Sequence, residues 1–195
     1  MSARGILIVL TGPSGVGKDT VLRELFALDP TLAYCVSYTT RAPRPGELDG
    51  VAYWFVDEAT FREMVDRDEF FEWSTVYGEL KGRTYESVDR AISSGRDTVI
   101  KIDVQGAEKV RGRLGDDTIY VFLLPPSAEA LEQRLVDRAT EDPASLEARR
   151  RQAISELALK DTYDHQVVND DATRAAREIL AIVEGDRAVR DGEHP

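Results

Sequence analysis

The chain has 195 residues, 42% of them hydrophobic, and a formal charge of −11. That length holds one well-buried core and falls short of two ordinary ones, so a single domain over 1–195 is expected. An acidic field of this size repels polyanions, which argues against nucleic acid or an anionic membrane as partner; anionic ligands would need local basic pockets.

The longest apolar run, Ile6 to Leu10, is too short to span a bilayer, and only Arg4 precedes it as a charge, so neither a membrane span nor a secretory signal is expected. A single cysteine, Cys35, makes no intrachain disulfide and fits a reducing compartment. The expectation is a soluble, cytoplasmic protein, with monomer and homodimer both open.

In chain order, Gly5 to Leu10 reads as a buried strand, and the turn from Gly12 to Gly17 hands it to a helix carrying Val21, Leu22, Leu25 and Phe26 at helical spacing. Further apolar strand-like runs fall at Ala33 to Tyr38, Thr98 to Ile102, Thr118 to Leu124 and His165 to Val168, with helical patterns between most of them. This alternation predicts a parallel sheet with helices on both faces. Residues 39 to 86 break it with Pro43, Pro45, Gly46 and Gly50 and short aromatic segments at Tyr53 to Phe55 and Phe70 to Trp73, which reads as an inserted substrate module. Pro125 and Pro126 end a strand. Residues 127 to 161 then look helical, interrupted at Thr140, Asp142 and Pro143 in the manner of a hinged lid, and the polar tail after Gly185 is expected to fray.

Gly12-Pro13-Ser14-Gly15-Val16-Gly17-Lys18 has the spacing of a Walker A phosphate loop, except that Asp19 stands where Ser or Thr is expected. Between a strand and a helix, such a loop turns backbone N–H groups toward phosphate oxygens, and the helix N-terminus adds its positive end. Lys18 would reach the β and γ phosphates. The bland alternative is a glycine-rich turn with an incidental lysine, which the strand–loop–helix context disfavours.

At Thr39-Thr40-Arg41-Ala42-Pro43-Arg44-Pro45-Gly46-Glu47, with Gly50 and Tyr53 following, the sequence resembles guanylate kinases, and TTRxPRxGE is rarely met elsewhere. The resemblance continues through Phe71-Glu72-Trp73, Ile102-Asp103-Val104-Gln105-Gly106, Pro125-Pro126-Ser127, the arginines at 134, 138 and 149, and Val168-Asn169-Asp170-Asp171. It implies an α/β P-loop nucleoside-monophosphate-kinase fold: a core (1–36, 87–126 and 155–187), a GMP-binding module (37–86), a helical lid (127–154) and a polar tail (188–195). It also implies transfer of the γ-phosphoryl group of ATP, with Mg²⁺ as cofactor, to GMP or dGMP in purine nucleotide metabolism.

For the acceptor, the resemblance places Arg41, Arg44 and Tyr53 on the GMP phosphate. Guanidinium forks bind phosphate oxygens bidentately, and the phenol adds a neutral donor. Guanine presents N1–H and N2 amino donors, so carboxylates are the natural selectors. Glu72 and Asp103 match the base-reading acids, and Ser37 a further base contact. Asp103 could equally cap the helix after it, a role compatible with base recognition. Two positions depart from the family pattern: Lys81 replaces a phosphate-binding tyrosine, and Arg83 replaces a small hydroxyl residue near guanine O6. Arg83 could present a fork to O6 and N7 or point to solvent.

For the donor side, Thr20 joins the loop residues, Arg138 and Arg149 match lid arginines that approach the ATP phosphates, Arg134 an adenine-side or phosphate neighbour, and Asn169 the adenine-contact region. Lys101 stands where an acid commonly precedes the IDxQG segment, a charge reversal matching Asp19. Two readings stay open: Asp19 ligates Mg²⁺ as a hard oxygen ligand, or it pairs with Lys101. A GPSGVGKD loop with a basic second site is similar to one branch of the family. Two rival readings are a ribose bisphosphate phosphokinase, which shares the loop and needs no guanine-reading acids, and a phosphopeptide-binding scaffold module, which usually carries a damaged loop.

Overall fold

A computed structural model describes residues 5–76, 78–111, 118–138 and 143–192; the side chains of residues 76, 137, 138, 143–145 and 190–192 lie outside that description. The chain opens with β1 (Leu7–Thr11) and α1 (Lys18–Leu28), then β2 (Ala33–Tyr34), β3 (Tyr38–Thr39), β4 (Trp54–Phe55), α2 (Glu58–Asp66), β5 (Phe70–Val76), β6 (Glu79–Thr84) and α3 (Tyr85–Ser93). It continues through β7 (Thr98–Lys101), α4 (Val104–Arg111), β8 (Thr118–Leu124), α5 (Ala128–Arg138), α6 (Pro143–Leu157), β9 (His165–Val168) and α7 (Ala172–Gly192).

Among the described residues the main sheet runs β2-β7-β1-β8-β9, and every neighbouring pair is parallel. Side chains alternate across a strand, and β1 shows what that does. Ile8 and Leu10 pack with Val21 and Leu25 of α1 and Ala176, Ile179 and Val183 of α7. Leu7 and Val9 turn the other way, to Val88 and Ile92 of α3 and Val104, Ala107 and Val110 of α4. A parallel sheet buried on both faces follows from that alternation.

The second sheet, β4-β3-β6-β5, carries its own small core of Phe61, Met64, Phe70 and Leu80, with α2 laid against it. The expected single strand from Ala33 to Tyr38 is therefore two. Ala33–Tyr34 pairs with β7 in the main sheet, and Tyr38–Thr39 pairs with β4 and β6 in the second. One extended segment cannot satisfy two sheets at once, so the ladder breaks between Cys35 and Ser37.

Helices α5 and α6 pack through Leu131, Leu135 and Ala153, and Arg150 of α6 donates to Glu132 of α5. Of the residues expected to interrupt this region, Thr140 and Asp142 lie outside the described residues, while Pro143 opens α6. The expected fraying after Gly185 does not occur at that point: α7 runs on to Gly192. Arg187 explains the extension, because it pairs with Asp97, whose other oxygen accepts the Ile6 backbone N–H.

Candidate active site

The loop from Gly12 to Gly17 joins the end of β1 to α1, which begins at Lys18. Gly17 sits at φ 100° as the residue before the helix, and a Cβ there would stand 2.5 Å from the Asn169 amide nitrogen. Only glycine fits that backbone in that space. Asn169 and Arg134 both donate to the Val16 carbonyl, at 2.7 and 2.9 Å, so the donor-side residues expected near adenine brace the phosphate loop itself. Thr20 is exposed on the first turn of α1.

Lys18 folds back over the loop, donating to the carbonyls of Gly12 at 2.5 Å and Pro13 at 3.1 Å. Burial pushes its ammonium down to about 8, with Lys101 adding to the shift and Glu156 and Asp19 opposing it. Lys101 Nζ donates to the Asp19 carboxylate, so the two departures from the expected pattern meet as an ion pair. Burial alone would lower Lys101 too; Tyr34 and Asp19 outweigh it and hold the ammonium charged.

Glu156 is the residue that the sequence reading missed. It is 4% exposed on α6, and its carboxylate accepts the Ser14 backbone N–H at 3.1 Å and the Gln152 amide at 2.8 Å. Burial pushes this carboxyl up, against those two donors and Lys18. Helical spacing from Arg149 through Gln152 to Glu156 puts the three on one face, and that spacing was the available signal.

On the opposite wall, Arg41 donates to the Ala42 carbonyl at 2.7 Å and to Glu47 at 2.8 Å, and Glu47 also accepts the Arg44 backbone N–H at 2.7 Å. Those two donors hold the Glu47 carboxyl down to about 2. Tyr53 lies under three cations: the Arg41 guanidinium 5.3 Å from its ring centre, Lys81 at 5.8 Å and Lys101 at 6.0 Å. Positive charge is thereby concentrated in one corner of an acidic protein.

Deeper in, Ser37, Glu72 and Arg83 are buried. Asp103 accepts from Ser74 Oγ at 2.7 Å and from the Gly106 backbone N–H at 2.8 Å, so it does cap α4 while facing the pocket. Arg83 does not point to solvent; Glu72 receives its Nη1 at 2.7 Å. All of these walls line one cleft of about 880 Å³, together with Gly12, Ser14, Lys18, Asp19 and Arg149. The Arg138 side chain lies outside the described residues.

Among the described residues no cluster of three or more acidic, histidine or cysteine side chains is built to hold a metal. Asp19 offers one hard oxygen ligand at the loop. That fits an ion carried in on a polyphosphate better than one resident in a protein cage.

A parallel α/β sheet, a glycine loop passing from strand to helix, and a basic second pocket across the same cleft define a P-loop kinase fold for a small phosphorylated acceptor. The sequence pattern of the guanylate kinase family matches residues 4–185. Guanylate kinase from Symbiobacterium thermophilum is 42% identical over 191 residues, covering 97% of this chain and 90% of that protein. The enzyme from Methylococcus capsulatus is 42% identical over 192 residues, covering 98% and 94%. The crystal structure of guanylate kinase from Anaplasma phagocytophilum superposes with a TM-score of 0.77 at 30% identity, covering 95% of this chain and 87% of that one. The chain belongs to the guanylate kinase family, nucleoside monophosphate kinases that phosphorylate GMP from ATP.

Proposed function

We propose that the cleft binds MgATP on the loop side and GMP on the module side, and that the residues named above carry the transfer. The supporting observation is that Lys18 with the loop and Arg41, Arg44, Tyr53, Glu72 and Asp103 line a single cavity. An oxygen of the GMP phosphate attacks the γ-phosphorus, the bond from that phosphorus to the β–γ bridging oxygen breaks, and ADP leaves with the electron pair. The attacking phosphate is ionised at neutral pH, so no side chain has to remove a proton. Rate comes from alignment and from neutralising charge on the transferring group.

In this reading the loop residues Gly12 to Gly17 cradle phosphate oxygens with their N–H groups, and Lys18, Arg138 and Arg149 balance the charge. Arg134 and Asn169 hold the loop in shape. Mg²⁺ arriving with ATP would supply further neutralisation of phosphate charge; Asp19, whose carboxylate pairs with Lys101 yet stays largely exposed, would be the protein ligand to hand. Arg41, Arg44 and Lys81 bind the acceptor phosphate around Tyr53. Ser37, Glu72 and Asp103 read guanine, and adenine would leave the buried Glu72 and the neighbouring Asp103 facing the wrong groups, a mismatch that can discriminate by orders of magnitude. The module over 37–86 and the lid over 127–154 close on the core at 1–36, 87–126 and 155–187 to exclude water. The lone buried Cys35 supports a cytoplasmic setting.

A coupled assay that follows ADP formation from MgATP with GMP, dGMP, AMP, UMP or ribose 1,5-bisphosphate tests the reading. GMP and dGMP are expected to turn over and the others to fail. Turnover of the sugar bisphosphate with none of GMP would overturn it.

A further inference from the structure

Arg83 and Glu72 face each other across the β5–β6 ladder, next to the irregularity in register between Phe70 and Glu72. Their side chains are 2% and 3% exposed. Arg83 Nη1 donates to Glu72 Oε1 at 2.7 Å, Nε donates to the Cys35 carbonyl at 3.2 Å, and Nη2 donates to the Lys101 carbonyl. Those carbonyls belong to the end of β7 and the segment just after β2, so the flat fork is anchored on two separate stretches of backbone and on the Glu72 carboxylate of β5. A guanidinium held that way cannot swing out to follow a ligand.

The other Glu72 oxygen, Oε2, lies over Gly106, where an added Cβ would be 3.1 Å away and also 3.5 Å from Asp103 Oδ1. Two acids therefore converge at the foot of α4. Glu72 is the buried one of the two, and the Asp103 charge beside it opposes its ionisation. Guanine needs both as acceptors, and a protonated carboxyl would offer a donor against the N1–H.

We propose that Arg83 is a positioning residue: it holds the Glu72 carboxylate in one orientation, with Oε2 turned to the base, so that selection for guanine runs through a buried Arg83–Glu72 pair. The inference rests on the GMP assignment above and deepens it. Arg83 acts on the base through Glu72, with its own fork spent on protein acceptors. The charged groups facing Glu72 are Arg83 from β6, Asp103 from the β7–α4 junction and Lys109 from α4. Burial pushes the Glu72 carboxyl up and Asp103 adds to this, while Arg83 and Lys109 pull it back. Without Arg83 the carboxyl rises further.

The test uses the full chain with Arg83→Met, Glu72→Gln and the double substitution, and measures kcat and KM for GMP, IMP and ATP between pH 5.5 and 9. Arg83→Met is expected to raise KM for GMP about tenfold or more, as misplacing a charge-assisted acceptor does. KM for ATP should stay put, the GMP-over-IMP preference should shrink, and kcat/KM for GMP should gain a limb that falls toward acid pH. In the Glu72→Gln background, where nothing is left to orient or ionise, Arg83→Met should add almost no further change in KM for GMP. An Arg83 effect that persists undiminished in that background means direct contact with guanine and overturns the proposal. So does an Arg83→Met chain with the parent's KM, selectivity and pH profile. Should Arg83→Met fail to fold, Arg83→Lys takes its place in the same cycle: it keeps the charge, so it must lose orientation, seen in KM, without gaining the acid limb. Failure of the unaltered chain to phosphorylate GMP at all would strike the acceptor assignment instead, and is read in the first measurement.

Discussion

The Lys101 ammonium at the end of β7 donates to the Asp19 carboxylate in the first turn of α1, tying the strand beside the acceptor pocket to the phosphate loop. The pair is lopsided in exposure, with the lysine side chain 18% exposed and the aspartate 69%. Its electrostatic reach extends to Lys18, which Lys101 pushes down and Asp19 pulls up.

That opposition gives the first prediction its sign. Lys18 already titrates near 8, so the alkaline limb of kcat/KM for ATP reports the loss of its proton in the free enzyme. Asp19→Asn removes a group that raises Lys18, and the limb should move to lower pH. Lys101→Met removes a group that lowers it, and the limb should move to higher pH. The double substitution should return close to the parent. Shifts in the same direction for both single substitutions would show that the pair does not act on Lys18.

Glu156 sets the second. Its carboxylate occupies the Ser14 N–H, a donor that the phosphate loop needs for ATP, so anion and anion compete for one amide. Glu156→Gln should lower KM for ATP several-fold at neutral pH and leave KM for GMP unchanged. Stability should respond as well. Burial raises this carboxyl above its ordinary 4.5, so between that value and the raised one the folded chain binds more protons than the unfolded chain, and stability falls as pH rises. Glu156→Gln removes that slope, and its Tm relative to the parent should be more favourable at pH 8 than at pH 4.5. Thermal melts at the two pH values decide it.

The acceptor corner yields a third. Glu47 orients Arg41 through its guanidinium and Arg44 through its backbone, and it stays ionised down to about pH 2. Glu47→Gln keeps the shape and loses the charge that aims Arg41 at the acceptor. KM for GMP should rise about three- to tenfold with KM for ATP unaltered, in line with weakening charge-assisted hydrogen bonds. Because the Glu47 carboxyl is so far down, the parent should show no acid limb from this residue above about pH 4.

Much of this arrangement was legible in the sequence, for reasons that differ by residue. The strand, loop and helix around Lys18 are contiguous, so spacing alone conveys the geometry. Asp19 and Lys101 are far apart in the chain, yet their reversed charges at two patterned positions pointed to each other. Glu156 shares a helical face with Arg149, but its partner Ser14 lies 142 positions away and a glutamate in a charged helix looks solvated, so the spacing by itself does not mark it as a site residue. Arg83 reads from the sequence as either a guanine contact or a solvent-facing side chain, since nothing local reveals that the carbonyls of Cys35 and Lys101 converge on it. The break between β2 and β3 was hidden for a similar reason: both halves are apolar, and only the presence of a second sheet divides them.

Asn169 carries the last prediction. It is 4% exposed, its backbone N–H is bonded to the Leu124 carbonyl at 2.7 Å, and its side chain reaches the Val16 carbonyl at 2.7 Å. The side chain thus pins the loop from behind while its backbone stays in register with the end of β8. Asn169→Ala would leave the Val16 carbonyl with the Arg134 donor and remove the brace on Gly17. Deleting a buried hydrogen-bonding partner of this kind costs about 1–3 kcal/mol. The loop amides should lose their common orientation, so KM for ATP should rise about tenfold or more while GMP binding, measured by calorimetry without ATP, stays within about twofold. An adenine-contact role for Asn169 would instead weaken ATP and leave the binding of inorganic triphosphate untouched, whereas a brace on the loop weakens both. Competition by triphosphate against ATP separates the two.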